Sequence, residues 1–457
     1  MPPKFGTSGL RGLVTELTDE LIADHVRAFI AACEMGTGLF VGRDLRPSSP
    51  HIAGVVIATA RAAGLSVTDC GDAPTPALAL AAMSAGAAAV MVTGSHIPAD
   101  RNGLKFYLPT GEIGKAHEAA ILAARGAAAA TGPQGPLATQ DTGPAYVARY
   151  HDAFGLDALT GLRVGAYTHS TVGRDMMCDI LRALGAEVVE LGRSDTFIPV
   201  DTEAVDPETR ATLREWAAQH GVDAIVSMDG DGDRPLLTDA AGNVVPGDVL
   251  GQITAQMLGA QTVVTPVSSN TGVELGGQFA QVLRTRIGSP FVIAGMEETG
   301  GQVAGYEANG GFLLGFTAKA PAGALPPLMT RDSMLPLVAV LTVARGQGVA
   351  AAVAAQPARF TAADRLQEVP TERALALVQR LAEDRDERQK FLNNFNALEE
   401  SVNQVDGLRI ALADARIVHV RPSGNAPELR FYAEADSAAA ADETLAQGLA
   451  VLRRLLS

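Results

Sequence analysis

Leu39-Phe40-Val41-Gly42, then Ser48-Ser49-Pro50, then Gly64-Leu65-Ser66-Val67: these three groups punctuate one short stretch whose reading decides the fold. The apolar run suits a buried strand. The serine pair with its proline opens a helix that is predicted to run through Ala63, and Gly64 closes it ahead of the next strand. The same grammar returns from Leu162-Arg163-Val164-Gly165, through Ser170-Thr171-Val172-Gly173 and a helix to Leu184, into Gly185-Ala186-Glu187-Val188. A third copy runs from Thr262-Val263-Val264 through Ser268-Ser269-Asn270-Thr271 and a helix to Val282. Strands alternating with helices in this way predict parallel α/β layers.

Punctuation marks the boundaries. Thr131-Gly132-Pro133-Gln134-Gly135-Pro136 reads as a loop near the end of the first repeat, and Gly242-Asn243-Val244-Val245-Pro246-Gly247 closes the second. After the third come Val349 to Pro357 and a charged helix from Thr371 to Leu392. From Val402 onward, strand-like runs such as Ile417-Val418-His419-Val420 and Leu429-Arg430-Phe431-Tyr432 precede a last helix from Ala438 to Leu456, a separate α+β domain. The 457 residues correspond to roughly three domains at ~150 residues each.

Lys plus Arg is 36 and Asp plus Glu is 51, a formal charge of 36 − 51 = −15. That sign disfavours nucleic acid and anionic membranes as partners, so an anionic ligand needs a local basic pocket. Cys33, Cys70 and Cys178 form no metal spacing and no even disulfide set, which fits a reducing compartment. The amino terminus carries no apolar signal core and no run of about 18 apolar residues occurs. A soluble cytoplasmic protein is the expectation.

Ala224-Ile225-Val226-Ser227-Met228 reads as a buried strand and leads into Asp229-Gly230-Asp231-Gly232-Asp233-Arg234. In an extended segment i, i+2 and i+4 face one side, so the carboxylates of Asp229, Asp231 and Asp233 can converge at the carboxyl end of the strand. All-oxygen ligation favours magnesium over zinc or copper. A calcium hand is excluded, because Arg234 and Ala240 stand where that loop needs glycine and glutamate. A solvated acidic turn uses the same letters.

Ser95 sits in Val92-Thr93-Gly94-Ser95-His96-Ile97-Pro98-Ala99-Asp100-Arg101-Asn102-Gly103-Leu104-Lys105, a hydroxyl in a glycine-flanked turn among basic side chains. That setting suits a nucleophilic or phosphate-carrying serine, although polar loops with a serine are commonplace. The G-x-S-x-G elbow of serine hydrolases is absent. Lys4-Phe5-Gly6-Thr7-Ser8-Gly9-Leu10-Arg11-Gly12 offers an arginine that could reach a phosphate. Glu307-Ala308-Asn309-Gly310-Gly311 could hydrogen-bond sugar hydroxyls. Arg421-Pro422-Ser423-Gly424-Asn425, with Arg430 on the following strand, could cradle a phosphate dianion. Each of these is also compatible with a plain loop. No Walker lysine motif or dinucleotide fingerprint appears, so ATP and NAD are not indicated. Taken together, the motifs suggest phosphoryl transfer.

At these residues the chain resembles the α-D-phosphohexomutase superfamily, of the bacterial phosphomannomutase/phosphoglucomutase type, over nearly its whole length and with five motifs in family order. The resemblance implies an α/β fold: three related α/β domains with mixed sheets plus a C-terminal α+β domain, heart-shaped around a central cleft. It implies a phosphoserine-bearing domain over 1–145, a metal-binding domain over 146–246, a sugar-recognition domain over 247–358 and a phosphate-binding domain over 359–457. Ser95 looks like the phosphoryl carrier, and Asp229, Asp231 and Asp233 like the Mg2+ ligands, with phosphoserine adding an oxygen. Arg11, His96, Lys105 and Arg234 match positions around the reacting centre, with the general acid and base unassigned among them. Glu307 and Asn309 fall on the sugar-selecting loop. Arg421, Ser423, Gly424 and Asn425 fall on the loop gripping the nonreacting phosphate.

Five positions depart from the usual pattern: Ile97 for asparagine, Asn309 for serine, Gly311 for histidine, and Asn425-Ala426 for threonine and glutamate. These bear on substrate choice. The implied activity is interconversion of mannose 1-phosphate and mannose 6-phosphate, and of glucose phosphates, with a hexose bisphosphate as activator. A phosphoglucosamine mutase, a metal-dependent phosphatase and a noncatalytic sugar-phosphate binding protein are the rival readings.

Overall fold

The computed structural model describes residues 3–6, 9–128, 132–423 and 427–456. Thr7, Ser8, Thr131, Gly424, Asn425 and Ala426, all named above, lie outside the described residues. The chain divides into two compact units, one of residues 1–264 with 288–355 and one of residues 265–287 with 356–457.

Among the described residues the first unit contains three larger sheets and a two-stranded one, Ala318–Lys319 with Ala324–Leu325. In the largest, the apolar runs Leu39–Arg43, Val67–Asp72 and Ala88–Val92 pair in parallel, and Leu137–Thr139 extends the edge beyond Val67–Asp72. Arg101–Leu108 and Leu10–Leu13 continue it on the other side as antiparallel strands, with Lys4–Phe5 beyond Leu10–Leu13 and Gly111–Glu112 against Arg101–Leu108. The sheet is therefore mixed. Strand Ala88–Val92 is buried along its whole length, as expected of a centre covered on both faces by helices. Helices Asp19–Ala32 and Ser49–Ala62 supply Ile22, Val26, Phe29, Ile52 and Val56 to one apolar cluster, while Leu78, Ala79 and Ala82 of Thr75–Ser84 belong to another. The predicted helix after Ser48 is present as Ser49–Ala62, with Pro50 in its first turn, where a missing N–H costs nothing.

The second repeat folds as predicted into strand Arg163–Tyr167, helix Arg174–Ala183 and strand Glu187–Leu191. Ala224–Met228 joins Arg163–Tyr167 in parallel, and Pro235–Leu237 returns antiparallel beside it. In the third sheet Val303–Tyr306 lies parallel to Thr262–Pro266, followed by antiparallel Phe312–Leu314 and Leu328–Asp332. Helix Met334–Ala344 is apolar on nearly every face and correspondingly buried. The carboxylate of Asp332, just ahead of that helix, accepts from Tyr146 Oη at 2.6 Å and from Tyr150 Oη, both on helix Gly143–Phe154.

The third repeat departs from its predicted pattern. Its helix is only Gly272–Leu275, and Gln281–Thr285 is a strand. Gly276 and Gly277 follow directly and stop the helix, the second with φ +60°.

The second unit is built on a five-stranded antiparallel sheet, in the order Phe360–Leu366, Leu429–Ala435, Ile417–Pro422, Leu408–Leu412, Glu399–Asn403. Helix Ala438–Leu456, with the bounds predicted, contributes Leu449, Val451 and Leu452 to the core. The single charged helix expected from Thr371 to Leu392 is instead two, Thr371–Glu383 and Arg385–Leu392. Asp384 breaks it by turning extended and accepting from the N–H groups of Asp386 (2.9 Å) and Glu387 (3.0 Å), a capping bond that competes with helix continuation. Among the described residues no helix is long and apolar enough to cross a membrane.

Candidate active site

Strand Ala224–Met228 is wholly buried and delivers its carboxyl end into the loop that follows. Asp229, Asp231 and Asp233 are fully buried there, and each offers an oxygen within 4.8 Å of the others. Asp229 Oδ1 accepts from the backbone N–H of Asp233 (3.1 Å) and Arg234 (3.2 Å), which folds the loop back on itself. Asp231 Oδ2 accepts from Thr75 Oγ1 at 2.5 Å, and Thr75 N–H donates to Asp231 O at 2.9 Å, so the loop docks on the first turn of helix Thr75–Ser84.

Ser95 follows strand Ala88–Val92 in the largest sheet and is itself fully buried. Its Oγ donates to Asp229 Oδ2 at 2.6 Å. Its φ of +55° lies in the left-handed region, which costs a non-glycine residue energy and persists only when surroundings impose it. The restraints are explicit: Ser95 N–H donates to Thr93 Oγ1 at 2.7 Å, and Ser95 O accepts from Arg46 Nη2 at 2.8 Å. Arg46 also donates to the carbonyls of Ile97 (2.6 Å), Pro98 (2.7 Å) and Arg101 (2.9 Å). Its Nε meets Asp44 Oδ2 at 3.1 Å. Gly94 makes room for this guanidinium, since a Cβ there would stand 2.6 Å from Arg46 Cζ. The Arg46 platform was missed in the sequence, where the neighbouring Ser48 and Ser49 signalled only a helix start. A charged pair, Asp44 and Arg46, between a buried strand and a helix was the available clue.

Cations surround the trio. Lys105, on strand Arg101–Leu108, places Nζ 2.5 Å from Asp231 Oδ2 and 2.6 Å from Asp233 Oδ2. Arg234 Nη1 donates to His96 Nδ1 at 2.9 Å, while Ser95 Oγ lies 3.4 Å from the same nitrogen. Arg331, which the sequence reading also missed, reaches Asp233 Oδ2 with Nη2 at 2.8 Å from strand Leu328–Asp332. Burial, with Arg234 and Arg11 nearby, pushes the His96 imidazole down to about 3, so it is neutral at physiological pH. Burial and then Arg234 and Arg331 push Arg11 down to about 10, which leaves it charged. Burial and then the two other carboxylates raise Asp229 to about 8. Burial also opposes the charge of Asp233, but Arg331, Lys105 and Arg234 outweigh it and hold that carboxyl below the usual range.

Asp231 Oδ1 and Asp233 Oδ1 are buried with no hydrogen-bond partner. Buried carboxylate oxygens left in that state call for a cation. The donors are oxygens throughout, the set a hard divalent ion takes, so the residues fit a metal of the Mg2+ kind.

Glu307 and Asn309 follow strand Val303–Tyr306 and are buried in the same unit. Asn309 Oδ1 accepts from Gly311 N–H at 3.0 Å, and Glu307 N–H donates to Gly311 O at 3.1 Å, which closes the loop. Arg421, Ser423 and Arg430 belong to the second unit. There Arg421 Nε is 2.8 Å from Asp406 Oδ2, Ser423 N–H donates to Glu428 O at 2.9 Å, and Arg430 Nη2 is 3.6 Å from Glu428 Oε2. Gly424 and Asn425 lie outside the described residues.

A buried serine hydroxyl on a carboxylate trio suited to a hard cation, among Arg11, Lys105, Arg234 and Arg331, is the setting of a phosphoryl-transfer enzyme on an α/β scaffold. The chain matches all four domains of one family: phosphoglucomutase/phosphomannomutase alpha/beta/alpha domain I over residues 2–129, domain II over 144–242, domain III over 246–360 and the C-terminal domain over 367–450. It belongs to the phosphoglucomutase/phosphomannomutase family. It is 45% identical to a phosphomannomutase of Sinorhizobium fredii, with 99% of each chain covered. It is 42% identical to a phosphomannomutase of Salmonella muenchen, with 95% of this chain and 92% of that one covered. Among solved structures, a phosphoglucomutase/phosphomannomutase family protein of Burkholderia thailandensis shares the fold with a TM-score of 0.77 at 24% identity, covering 98% of this chain and 96% of that one.

Proposed function

We propose that this protein interconverts mannose 1-phosphate and mannose 6-phosphate, and accepts glucose phosphates, through phospho-Ser95 and an enzyme-bound hexose bisphosphate. The observation that carries the reading is the 2.6 Å bond from Ser95 Oγ to Asp229 Oδ2 within the buried trio. The two phosphomannomutases at 45% and 42% identity support the choice of sugar.

The bond from phosphorus to Ser95 Oγ breaks as the free hydroxyl of the hexose phosphate forms its own bond to that phosphorus; the hydroxyl proton leaves to a base, and the departing Ser95 Oγ takes up a proton to become the serine hydroxyl. The bisphosphate then turns end for end and returns its other phosphoryl group to Ser95. Mg2+ held by Asp229, Asp231, Asp233 and an oxygen of phospho-Ser95 would offset charge on the moving group. Arg11, Lys105 and Arg234 neutralise the phosphoryl oxygens. Neutral His96, its Nδ1 occupied by Arg234, helps define the wall beside Ser95. Glu307 and Asn309 hold sugar hydroxyls, while Arg421, Ser423, Gly424, Asn425 and Arg430 take the nonreacting phosphate. Most of the rate then comes from positioning and preorganised charge. A hexose bisphosphate serves as activator by restoring phospho-Ser95. In this reading the protein works in the cytoplasm on a small hexose phosphate, without nucleic acid or membrane.

Phosphorus NMR of purified protein with Mg2+ and a trace of hexose bisphosphate, offered mannose, glucose or glucosamine 1-phosphate separately, tests the proposal. Conversion of the mannose ester at least as fast as the others, lost in Ser95→Ala, is expected. Preference for the glucosamine ester would move the assignment to a phosphoglucosamine mutase, and steady release of inorganic phosphate to a phosphatase.

A further inference from the structure

Arg331 is 2% exposed and stands between two loops that the mechanism uses separately. Its Nη2 is 2.8 Å from Asp233 Oδ2 in the carboxylate trio, and its Nη1 donates to Glu307 Oε2 in the sugar loop at 3.4 Å. Its Nε is 3.6 Å from Glu112 Oε1. Glu112 is otherwise engaged, accepting from Ser289 Oγ at 2.9 Å and from Thr330 Oγ1 at 3.1 Å, and so anchors the base of the side chain. The Nε group of Arg331, 3.6 Å from Glu112, is buried without a hydrogen bond, and Nη2 has the ion pair with Asp233 as its one partner, not an aligned hydrogen bond. A guanidinium so deeply buried with donors to spare is expected to complete its bonds in the working complex.

The sugar loop is shaped to admit this side chain. A Cβ at position 311 would stand 2.8 Å from Arg331 Cδ and 3.0 Å from its Cγ, so the glycine there is what lets Arg331 lie across the loop.

We infer that Arg331 is a positioning residue that sets sugar specificity: it takes an oxygen of the hexose phosphate beside Glu307 and ties sugar orientation to the Asp233 end of the trio. This rests on the hexose phosphate reading proposed above. Gly311 is part of the same device, and the two positions act as one. The planar fork matters as much as the charge, because Nη1 and Nη2 reach two separate carboxylates, Glu307 and Asp233, which the single nitrogen of a lysine bridges only where the carboxylates converge.

The experiment compares wild type, Arg331→Met, Arg331→Lys and Gly311→Ala. Isomerisation of mannose and glucose 1-phosphates is followed by phosphorus NMR, and binding of mannose 6-phosphate by calorimetry with Mg2+ present. The expected result is a KM for mannose 1-phosphate raised roughly tenfold to a hundredfold in Arg331→Met, the range for one lost charge-assisted hydrogen bond. The mannose-to-glucose ratio of kcat/KM should shrink, Gly311→Ala should shift in the same direction, and Arg331→Lys should restore affinity without restoring the ratio. Equal losses on both sugars, with KM and the ratio unchanged, would mean a structural role only and overturn the inference. If wild type isomerises no hexose phosphate, the mutase reading fails, and calorimetry then decides on Arg331 alone. Weaker binding in Arg331→Met and Gly311→Ala would support it, and unchanged binding would overturn it.

Discussion

Replacing Arg46 with methionine should cost both stability and rate, although the guanidinium lies beneath the serine loop rather than on its substrate side. The guanidinium holds five contacts: Asp44 Oδ2 and the carbonyls of Ser95, Ile97, Pro98 and Arg101. Both charged side chains of the Asp44–Arg46 pair are fully buried, and breaking such a pair by removing one partner costs about 3–5 kcal/mol. Burial already raises the Asp44 carboxyl, so without Arg46 it should take up a proton, keeping the loss toward the lower end of that range. The kinetic effect follows from Ser95, whose φ of +55° is imposed by these bonds. Once released, the loop relaxes and Oγ drifts from Asp229, and a misplacement of about 1 Å can cost roughly a hundredfold in rate. Urea unfolding followed by circular dichroism should therefore show Arg46→Met at least about 3 kcal/mol less stable. Isomerisation, measured where the variant is folded, should fall in kcat with KM little changed, because Arg46 lies under the loop. A variant within about 1 kcal/mol of wild type and with unchanged kcat would refute the reasoning.

Three further outcomes are expected. Chelation should abolish isomerisation and Mg2+ restore it, and Mg2+ at about a hundred times its Kd should raise the stability of the stripped protein by about 2.7 kcal/mol; a melting temperature indifferent to Mg2+ would count against the trio as the site. Burial pushes His419 in the second unit down to about 4, so between that value and the ordinary 6.5 the unfolded chain binds the extra proton and stability rises with pH. Urea unfolding at pH 7 and pH 5 should show a loss of about 2 kcal/mol from this group on acidification, absent in His419→Gln; identical pH dependence in the two proteins would exclude it. Asp384→Ala should remove the cap of Arg385–Leu392 and cost about 0.5–2 kcal/mol by the same unfolding assay, whereas no change would mean that the break between the two helices has another cause.

The strands at Leu39, Arg163 and Ala224 could be read because each is a short apolar run bounded by turn formers, a purely local pattern. The spacing of Asp229, Asp231 and Asp233 marks them as a set, but they converge through a turn rather than an extended run: Gly232 has φ +72° and Asp229 Oδ1 accepts from the N–H groups of Asp233 and Arg234. Arg46 and Arg331 could not be read from spacing. Each works through partners far along the chain, Arg46 beneath Ser95 and Arg331 between Asp233 and Glu307; the nearby Asp44 was a local clue to Arg46, and nothing local marks Arg331 as buried. The third helix falls short of its predicted bound because Gly276-Gly277 stops what Ser268–Thr271 starts. The break at Asp384 is not legible in the sequence, because an aspartate within a charged, amphipathic run looks solvated until its side chain caps the next turn. The neutrality of His96 is likewise a product of burial beside Arg234 and Arg11, which no spacing announces.

The most direct test of the central claim labels the transferable phosphoryl group. Purified protein with Mg2+ is incubated with mannose 1,6-bisphosphate carrying radioactive phosphorus, freed of ligand, digested, and then chased in a parallel sample with unlabelled mannose 1-phosphate. Label on the peptide that contains Ser95, removed by the chase and recovered in mannose 6-phosphate or the bisphosphate, is the predicted result. Label on another residue, or on Ser95 but refractory to the chase while isomerisation proceeds, would contradict it.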